Sequence, residues 1–271
     1  MVLISLQDSG KCPPLFFVHG LTGVMPLGRY LVRRFGPDQP FYAVNANGFY
    51  PGQAKIESAR AMVQSYVEEI ISVRPSGLLT VAGMCAGGLI AIEVVRELQA
   101  RDRKVGPVIL ADPPIVPPGL ARNIQRMDPR QPQIARQLYE YVRHNFSDHA
   151  SRSYNDMPFD CNDPEKVHLA VLAGVDALVM LSKHIPTPFS GSAVLILSAE
   201  RAPGFFDPKG PWRTILSGPQ TVHVLHWQPH VELFRSGLEQ FARVFNFILT
   251  EIATSHTPAS CQLDYASNAR I

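Results

Sequence analysis

The sequence has few cysteines and no long apolar run, and each scarcity narrows the kind of protein that it encodes. Its 271 residues contain only 4 cysteines, without a Cys-x-x-Cys pair or another metal-ligand spacing, so neither a disulfide framework nor a bound metal is expected. The apolar runs are too short to span a bilayer, and the first residues do not read as a secretory segment. We therefore expect a cytoplasmic protein with free thiols and no membrane association.

The sequence also lacks a large excess of positive or negative charge. The net charge is +2, so nucleic acid and acidic membrane surfaces are not favoured partners. A hydrophobic content of 46% and a charged content of 18% are ordinary for a chain that buries a core. The length suits one α/β domain, or one domain with an inserted subdomain.

Short apolar runs alternate with amphipathic stretches, which predicts a mostly parallel sheet with helices on both faces. The main predicted helices between and after the strands are 56–74, 89–101 and 230–252. The predicted strands are Val2–Leu6, Leu15–Val18, Phe41–Asn45, Leu79–Gly83, Val108–Ala111, Ala193–Ser198 and Thr221–Leu225.

The alternation is interrupted between Pro113 and Pro188, where helical patterns at 133–146 and 165–184 occur without a convincing strand. Such an insertion after a sheet strand predicts a helical lid over an active site. We therefore divide the chain into an α/β domain at 1–253, with a lid insertion at about 113–188, and a polar C-terminal tail at 254–271.

Cys85 lies within Gly83-x-Cys85-x-Gly87, between a predicted strand and a predicted helix. This strand–turn–helix context is that of the Gly-x-Ser-x-Gly nucleophile elbow, with cysteine in place of serine. A Cβ at either flanking glycine would collide with the neighbouring strand or helix. The N-terminus of the following helix lowers the pKa of a thiol and stabilises an oxyanion. The pattern predicts Cys85 as a nucleophile rather than a buried small hydrophobic residue.

A thiol nucleophile requires a histidine base, and the histidine requires a carboxylate that fixes its tautomer. His230 and His226 both follow the last predicted strand, and His230 is the preferred base. Asp112 and Glu200 each end a strand, so the residues alone leave both open as the acid. For an oxyanion hole, we expect the backbone N–H groups of Leu21, after the His-Gly turn, and of Ala86, after the nucleophile.

These motifs together resemble the thioesterase domains of the α/β-hydrolase fold that end nonribosomal peptide and polyketide assembly lines. The resemblance covers about residues 3–250. It rests on Pro13–Gly20, Gly36–Tyr42, the elbow, Phe206-Asp207-Pro208 with Trp212, and Pro229–Phe234.

The resemblance implies the α/β-hydrolase fold and favours Asp112, 27 residues after Cys85, as the acid. It also places His230 on the family's catalytic histidine and implies a helical lid. The implied activity is release of an acyl, peptidyl or polyketide chain from a phosphopantetheine carrier domain, by hydrolysis, cyclisation or condensation, with no cofactor of the enzyme's own. The partners implied are that carrier domain and a small-molecule acyl substrate. The family usually has serine in the elbow, so Cys85 is a departure.

Two alternative functions and the role of a group of arginines remain open at this point. A dienelactone-hydrolase-like enzyme would share the Gly-x-Cys-x-Gly-Gly elbow but would use an acid near Glu200. A binding module with a hydrolase fold would leave Cys85 inert. The arginines at 122, 126, 130, 136, 143 and 152 are either a carrier-binding surface or, more simply, a solvated helix face.

Overall fold

A mostly parallel seven-stranded sheet forms the centre of the molecule. The computed structural model describes residues 2–49, 56–114, 128–146, 159–182, 188–226, 230, 233 and 236–256. The strands lie in the order β1-β3-β2-β4-β5-β6-β7, with β1 antiparallel to β3 and all other pairs parallel. They are β1 Leu3–Gln7, β2 Leu15–Val18, β3 Phe41–Val44, β4 Thr80–Met84, β5 Val108–Ala111, β6 Ala193–Ser198 and β7 Gln220–Leu225.

The helices pack on the sheet in separate pairs, α2 with α3 and α1 with α8, as the crossover connections of a parallel sheet require. Buried apolar side chains of the central strands meet the apolar faces of these helices, and this contact forms the main core. The helices are α1 Gly28–Phe35, α2 Ala59–Val73, α3 Gly87–Ala100, α4 Pro132–Phe146, α5 Pro164–Ser182, α6 Ala202–Phe206, α7 Trp212–Ile215 and α8 Leu238–His256.

The predicted strands agree with the observed ones to within one residue, and three of them agree at both ends. The helix predicted at 230–252 is wrong at its start, because α8 begins only at Leu238. It also continues to His256, past the predicted start of the tail at residue 254. Helices α1, α6 and α7 were not among the predicted elements. Residues 257–271 lie outside the described part of the chain.

The predicted lid insertion is helical where the structure describes it. Helices α4 and α5 occupy much of 128–146 and 159–182 and pack against each other. Asp163 immediately precedes α5, and its carboxylate accepts the backbone N–H groups of Glu165 and Lys166, which is N-terminal capping. The remaining residues predicted for the insertion lie outside the described ranges or flank them.

Helix α5 touches the loop after β2 backbone to backbone. A Cβ on Gly174 would lie 2.2 Å from the carbonyl oxygen of Leu21, and one on Gly23, whose φ is +69°, would lie 2.2 Å from that of Ala170. Neither contact leaves room for a side chain, since the colliding atoms belong to the main chain. These two glycines therefore fix the distance between α5 and the loop that carries Leu21.

We expect Gly174→Ala to destabilise the protein although alanine is the better helix former. The gain in helix propensity is about 1 kcal/mol, whereas forcing a methyl group against two backbone segments costs roughly 1–3 kcal/mol or more. Thermal unfolding measures the difference. Gly88→Ala is the matched control, because its Cβ would meet Leu110 at an ordinary 3.4 Å. Equal melting temperatures for both variants would contradict the close packing of α5.

Candidate active site

Cys85 stands on the turn between β4 and α3, in a backbone conformation that few residues adopt. Its φ is +51°, in the left-handed region that is unusual for a residue with a side chain. Its backbone N–H donates to the carbonyl of Ala111 on β5, at 2.8 Å. The strain thus presents the thiol at the carboxyl end of the sheet, as a nucleophile elbow does.

The two glycines of the elbow are required by the close approach of neighbouring backbone. A Cβ on Gly83 would lie 2.2 Å from the carbonyl oxygen of Gly87, and a Cβ on Gly87 would lie 2.1 Å from that of His19. The first contact joins β4 to the new helix, and the second joins that helix to the end of β2. The collisions predicted from the sequence are therefore present on both sides.

Asp112 and His230 come together beside the elbow. Asp112 follows β5, is fully buried, and has a φ of +46°. One carboxylate oxygen accepts the backbone N–H of Ser198 at 2.7 Å, and the other is bonded to Nδ1 of His230. His230 in turn is hydrogen-bonded to the Cys85 side chain. The structure thus brings together Cys85, His230 and Asp112, the three residues predicted from the sequence.

The competing acid and the competing base lie elsewhere. Glu200, one strand further along the sheet, accepts the backbone N–H of His230 at 2.7 Å. It therefore anchors the main chain of the histidine, while Asp112 binds its ring. His226 is exposed at the end of β7. The side-chain contacts with Cys85 and with the histidine ring are therefore made by His230 and Asp112, and not by His226 and Glu200.

The three side chains of this cluster stabilise one another in their ionised forms. Burial opposes ionisation of the thiol, but the hydrogen bond and charge of His230, with the charge of Arg201, outweigh burial and lower the pKa of Cys85 to about 7. Burial likewise opposes protonation of His230, yet its bonds to Asp112 and Cys85 raise its pKa to about 9. Asp112 is also buried, but the same histidine holds its pKa below the ordinary value. Between these values the pair exists as thiolate and imidazolium.

The loop after β2 is held from behind by a buried hydrogen-bond network. His19 is fully buried, and burial lowers its pKa to about 4, so it is neutral at physiological pH. Its Nδ1 donates to the carbonyl of Gly20 at 2.9 Å, so its Nε2 accepts from the Tyr66 hydroxyl at 3.0 Å. The Gly20 carbonyl also accepts the N–H of Gly23 at 3.1 Å.

This network constrains the peptide group that joins Gly20 to Leu21. The C=O and N–H of one trans peptide point in opposite directions, so a Gly20 carbonyl held by His19 turns the Leu21 N–H the other way. Leu21 and Cys85 line the same pocket, and Ala86 immediately precedes α3. Both predicted oxyanion donors therefore flank Cys85, with the Ala86 N–H at the positive end of a helix.

The pocket beside Cys85 is small and largely apolar, and one side chain of the insertion lines it. Its volume of about 80 Å³ matches only a few water molecules. The floor comes from β2 and its loop, and Met25 and Pro26 form one side. Tyr141 of α4 lines it from the insertion, and burial raises the pKa of its hydroxyl to about 12.

Comparison with known proteins assigns a family to this arrangement. The model of the thioesterase domain family matches residues 13–155, which is more than half of the chain. The chain belongs to the thioesterase domain family.

Curated relatives carry the matching segment within much larger proteins. Atromentin synthetase nps3 of Serpula lacrymans var. lacrymans (strain S7.9) is 35% identical over 126 residues, 46% of this chain and 13% of its own length. Polyketide synthase PksR of Bacillus subtilis (strain 168) is 33% identical over 112 residues, 41% of this chain and 4% of its own. The thioesterase domain thus spans a small part of the relatives that it matches.

Solved structures share the fold of the thioesterase domain. The Vlm2 thioesterase domain bound with a dodecadepsipeptide superposes with a TM-score of 0.67 at 15% identity, covering 91% of this chain and 97% of that one. The NocB thioesterase domain from the nocardicin cluster gives 0.65 at 18% identity, covering 92% and 98%. At such identities the likeness concerns the fold, and it confirms the expected α/β-hydrolase architecture.

The thioesterase domain contains site residues that the sequence pattern did not identify. Arg201 lies beside both Cys85 and Asp112, and Tyr141 reaches the pocket from α4. His19 stood in the His-Gly motif, but no role followed from the motif alone.

Within the described ranges, no group of three or more His, Cys, Asp or Glu side chains is placed to hold a metal ion. No helix there is both long and apolar enough to cross a membrane.

The low pKa of Cys85 predicts how alkylation and turnover of the thioesterase domain depend on pH. Iodoacetamide reacts with the thiolate, so alkylation of Cys85 should rise with pH and reach half its maximum at about pH 7. Turnover should also fall as His230 loses its proton near pH 9, which gives a bell-shaped kcat/KM profile. Peptide mass mapping follows the label, with buried Cys12 and Cys161 as internal controls. Labelling of Cys85 no faster than theirs would favour the inert binding module.

Proposed function

We propose that this thioesterase domain releases an acyl, peptidyl or polyketide chain from a phosphopantetheine carrier through an acyl-enzyme on Cys85. The observation that carries the proposal is the series of hydrogen bonds from Cys85 to His230 to Asp112 at a strained elbow. The matched segments in an atromentin synthetase and a polyketide synthase support a synthase substrate.

In the first half-reaction the Cys85 thiolate attacks the thioester carbon. A carbon–sulfur bond forms, and the carbonyl electrons move onto oxygen, where the N–H groups of Leu21 and Ala86 stabilise the negative charge. Collapse of this intermediate breaks the bond to the carrier sulfur. The imidazolium of His230 gives its proton to the departing thiolate, and Asp112 holds the ring in the tautomer required. The products are the free carrier thiol and acyl-Cys85.

In the second half-reaction water, or an amine or hydroxyl of the chain itself, attacks acyl-Cys85. Neutral His230 takes the proton of the attacking group, and Cys85 leaves as thiolate, so the starting pair is restored. A serine would convert the thioester into a less activated oxoester, whereas cysteine keeps the acyl group activated. The thiol therefore favours cyclised or condensed products over the free acid, compared with Cys85→Ser.

The carrier domain is the proposed partner, but the arginines of the insertion give it little support as a docking surface. Arg130 binds Asp176 with both carboxylate oxygens, at 2.6 and 2.7 Å, and Arg143 pairs with Glu140 at 2.9 Å. Charges that are already paired favour the simpler interpretation, a solvated helix face. Arg136 is exposed, and the arginines at 122, 126 and 152 lie outside the described residues.

The proposal is tested with a panel of acyl chains attached to pantetheine and to a carrier protein. We expect the wild-type protein to release the thiol and to form free acid, lactone, lactam or dimer, identified by chromatography and mass spectrometry. The matching oxoesters and amides are the substrate controls, and Cys85→Ala is the protein control. A folded protein that alkylates at Cys85 and turns over no thioester of the panel would contradict the proposed substrate class.

A further inference from the structure

The guanidinium of Arg201 lies inside the site, although neither half-reaction above uses it. One Nη lies 3.8 Å from Sγ of Cys85 and donates to the main-chain carbonyl of Asp112. Its Nε lies 3.7 Å from the carboxylate of the same aspartate. The side chain is only 17% exposed. A cation so placed contacts the nucleophile and the acid at once.

The position of Arg201 is set by the end of β6. Its backbone N–H donates to the carbonyl of Ser198 at 3.1 Å, and its carbonyl accepts the N–H of Phe205 at 3.2 Å, where α6 begins. The residue before it, Glu200, holds the backbone of His230. Two consecutive residues after β6 therefore contact all three members of the Cys85–His230–Asp112 series.

A charge count shows what this cation does. With Cys85 ionised, the site holds two anions, the thiolate and Asp112, but the imidazolium of His230 is a single cation. Two anions that share one cation leave one negative charge uncompensated, which is costly here because Asp112 is fully buried and Cys85 is largely shielded from solvent. Arg201 brings the count of these four groups to zero. Tyr141 faces the thiol from α4 and is neutral, and His19 is neutral on the β2 side. Glu200 is a further anion, but it is exposed, so solvent screens its charge.

We propose that Arg201 is the second cation of the site and holds Cys85 as a thiolate before the substrate binds. The inference rests on the proposed acyl-enzyme chemistry and adds to it a residue that a serine elbow would not need, since serine carries no charge at rest. The attack then needs no prior proton transfer from the nucleophile.

Removing the charge has two opposing effects on Cys85. An opposite charge within about 4–6 Å shifts a pKa by about one unit or more, so Arg201→Gln should raise the pH of half-maximal ionisation. A thiolate of higher pKa is also more nucleophilic, with a Brønsted coefficient of about 0.4–0.5. For one unit this makes the fully ionised thiol about threefold faster. Cys85 of Arg201→Gln should therefore react more slowly than that of the wild-type protein at low pH, and faster at high pH.

The test is the pH dependence of Cys85 alkylation by iodoacetamide in Arg201→Gln, Arg201→Lys and the wild-type protein. We expect the midpoint of Arg201→Gln to move up by about one pH unit, with a plateau rate about threefold higher. Arg201→Lys should remain close to wild type. Arg213→Gln, which removes an exposed arginine of α7, is the matched control and should not change the profile.

An unchanged midpoint in folded Arg201→Gln, judged by circular dichroism, would overturn the proposal. So would a raised KM confined to acyl chains that carry a carboxylate, without any change in alkylation, because Arg201 would then bind substrate. Alkylation needs no carrier or thioester, so this result is independent of whether the proposed function holds. Failure of the thioester panel with a shifted alkylation profile would reject the substrate class alone.

Discussion

Cys85→Ala is expected to lower thioester turnover by at least about 10⁴-fold, the typical consequence of removing a covalent nucleophile. The methyl group of alanine cannot form the acyl-enzyme, and the oxyanion donors proposed at Leu21 and Ala86 would retain only a residual acceleration. Stability should change little, because the thiol is partly exposed and a smaller side chain still fits the turn. Steady-state rates and a melting curve give both quantities.

Cys85→Ser is the matched control for that experiment. It keeps an oxygen nucleophile in the same elbow, so it should retain acyl transfer that Cys85→Ala lacks. Turnover of Cys85→Ala within tenfold of wild type would mean that the nucleophile is elsewhere or that water attacks the thioester directly.

Asp112→Asn is expected to lower turnover on the order of 10³-fold. The amide no longer stabilises the imidazolium of His230, and its NH₂ group favours the wrong tautomer of the ring. Glu200→Gln should cost less than about tenfold, because the amide carbonyl still accepts the backbone N–H of His230. Both substitutions are nearly isosteric, so the comparison isolates the role of each carboxylate.

The opposite result has a specific meaning. A large loss in Glu200→Gln with Asp112→Asn tolerated would favour the dienelactone-hydrolase-like alternative. Equal losses would mean that anchoring the main chain of His230 matters as much as orienting its ring. Activity should be measured at several pH values, because Asp112→Asn also removes the contact that raises the pKa of His230.

The sequence is sufficient for the sheet and the elbow because their signals are local. Apolar runs with turn residues predict β4 and β5. The glycines at 83 and 87 indicate positions at which neighbouring backbone leaves no room for a side chain. The predicted start of α8, at residue 230, was wrong, and the reason involves a contact between residues far apart in the sequence. Residues from His230 onward have helical periodicity, but α8 begins only at Leu238. The backbone N–H of His230 is instead bound by Glu200, which follows the neighbouring strand β6 and lies 30 residues away in the sequence.

The proposed acid, Asp112, and the proposed second cation, Arg201, could not be identified from the residues alone. Asp112 follows β5 and Glu200 follows β6, and these two strands are neighbours in the sheet, so strand position does not separate the two carboxylates. The distinction depends on side-chain direction, since the left-handed φ of Asp112 turns its carboxylate to the ring of His230. Arg201 acquires its role only when β6 lies beside β5 and brings its guanidinium to Cys85.

The central claim is that Cys85 carries the acyl group, and rapid-quench mass spectrometry tests it most directly. The wild-type protein is mixed with an acyl-pantetheine thioester, quenched in acid within milliseconds to seconds, and analysed intact and after digestion. The account predicts a mass increase equal to the acyl group, located on the peptide that contains Cys85 and absent from Cys85→Ala. An acyl adduct of the same mass on Cys85→Ala, or on another residue of the wild-type protein, would contradict it.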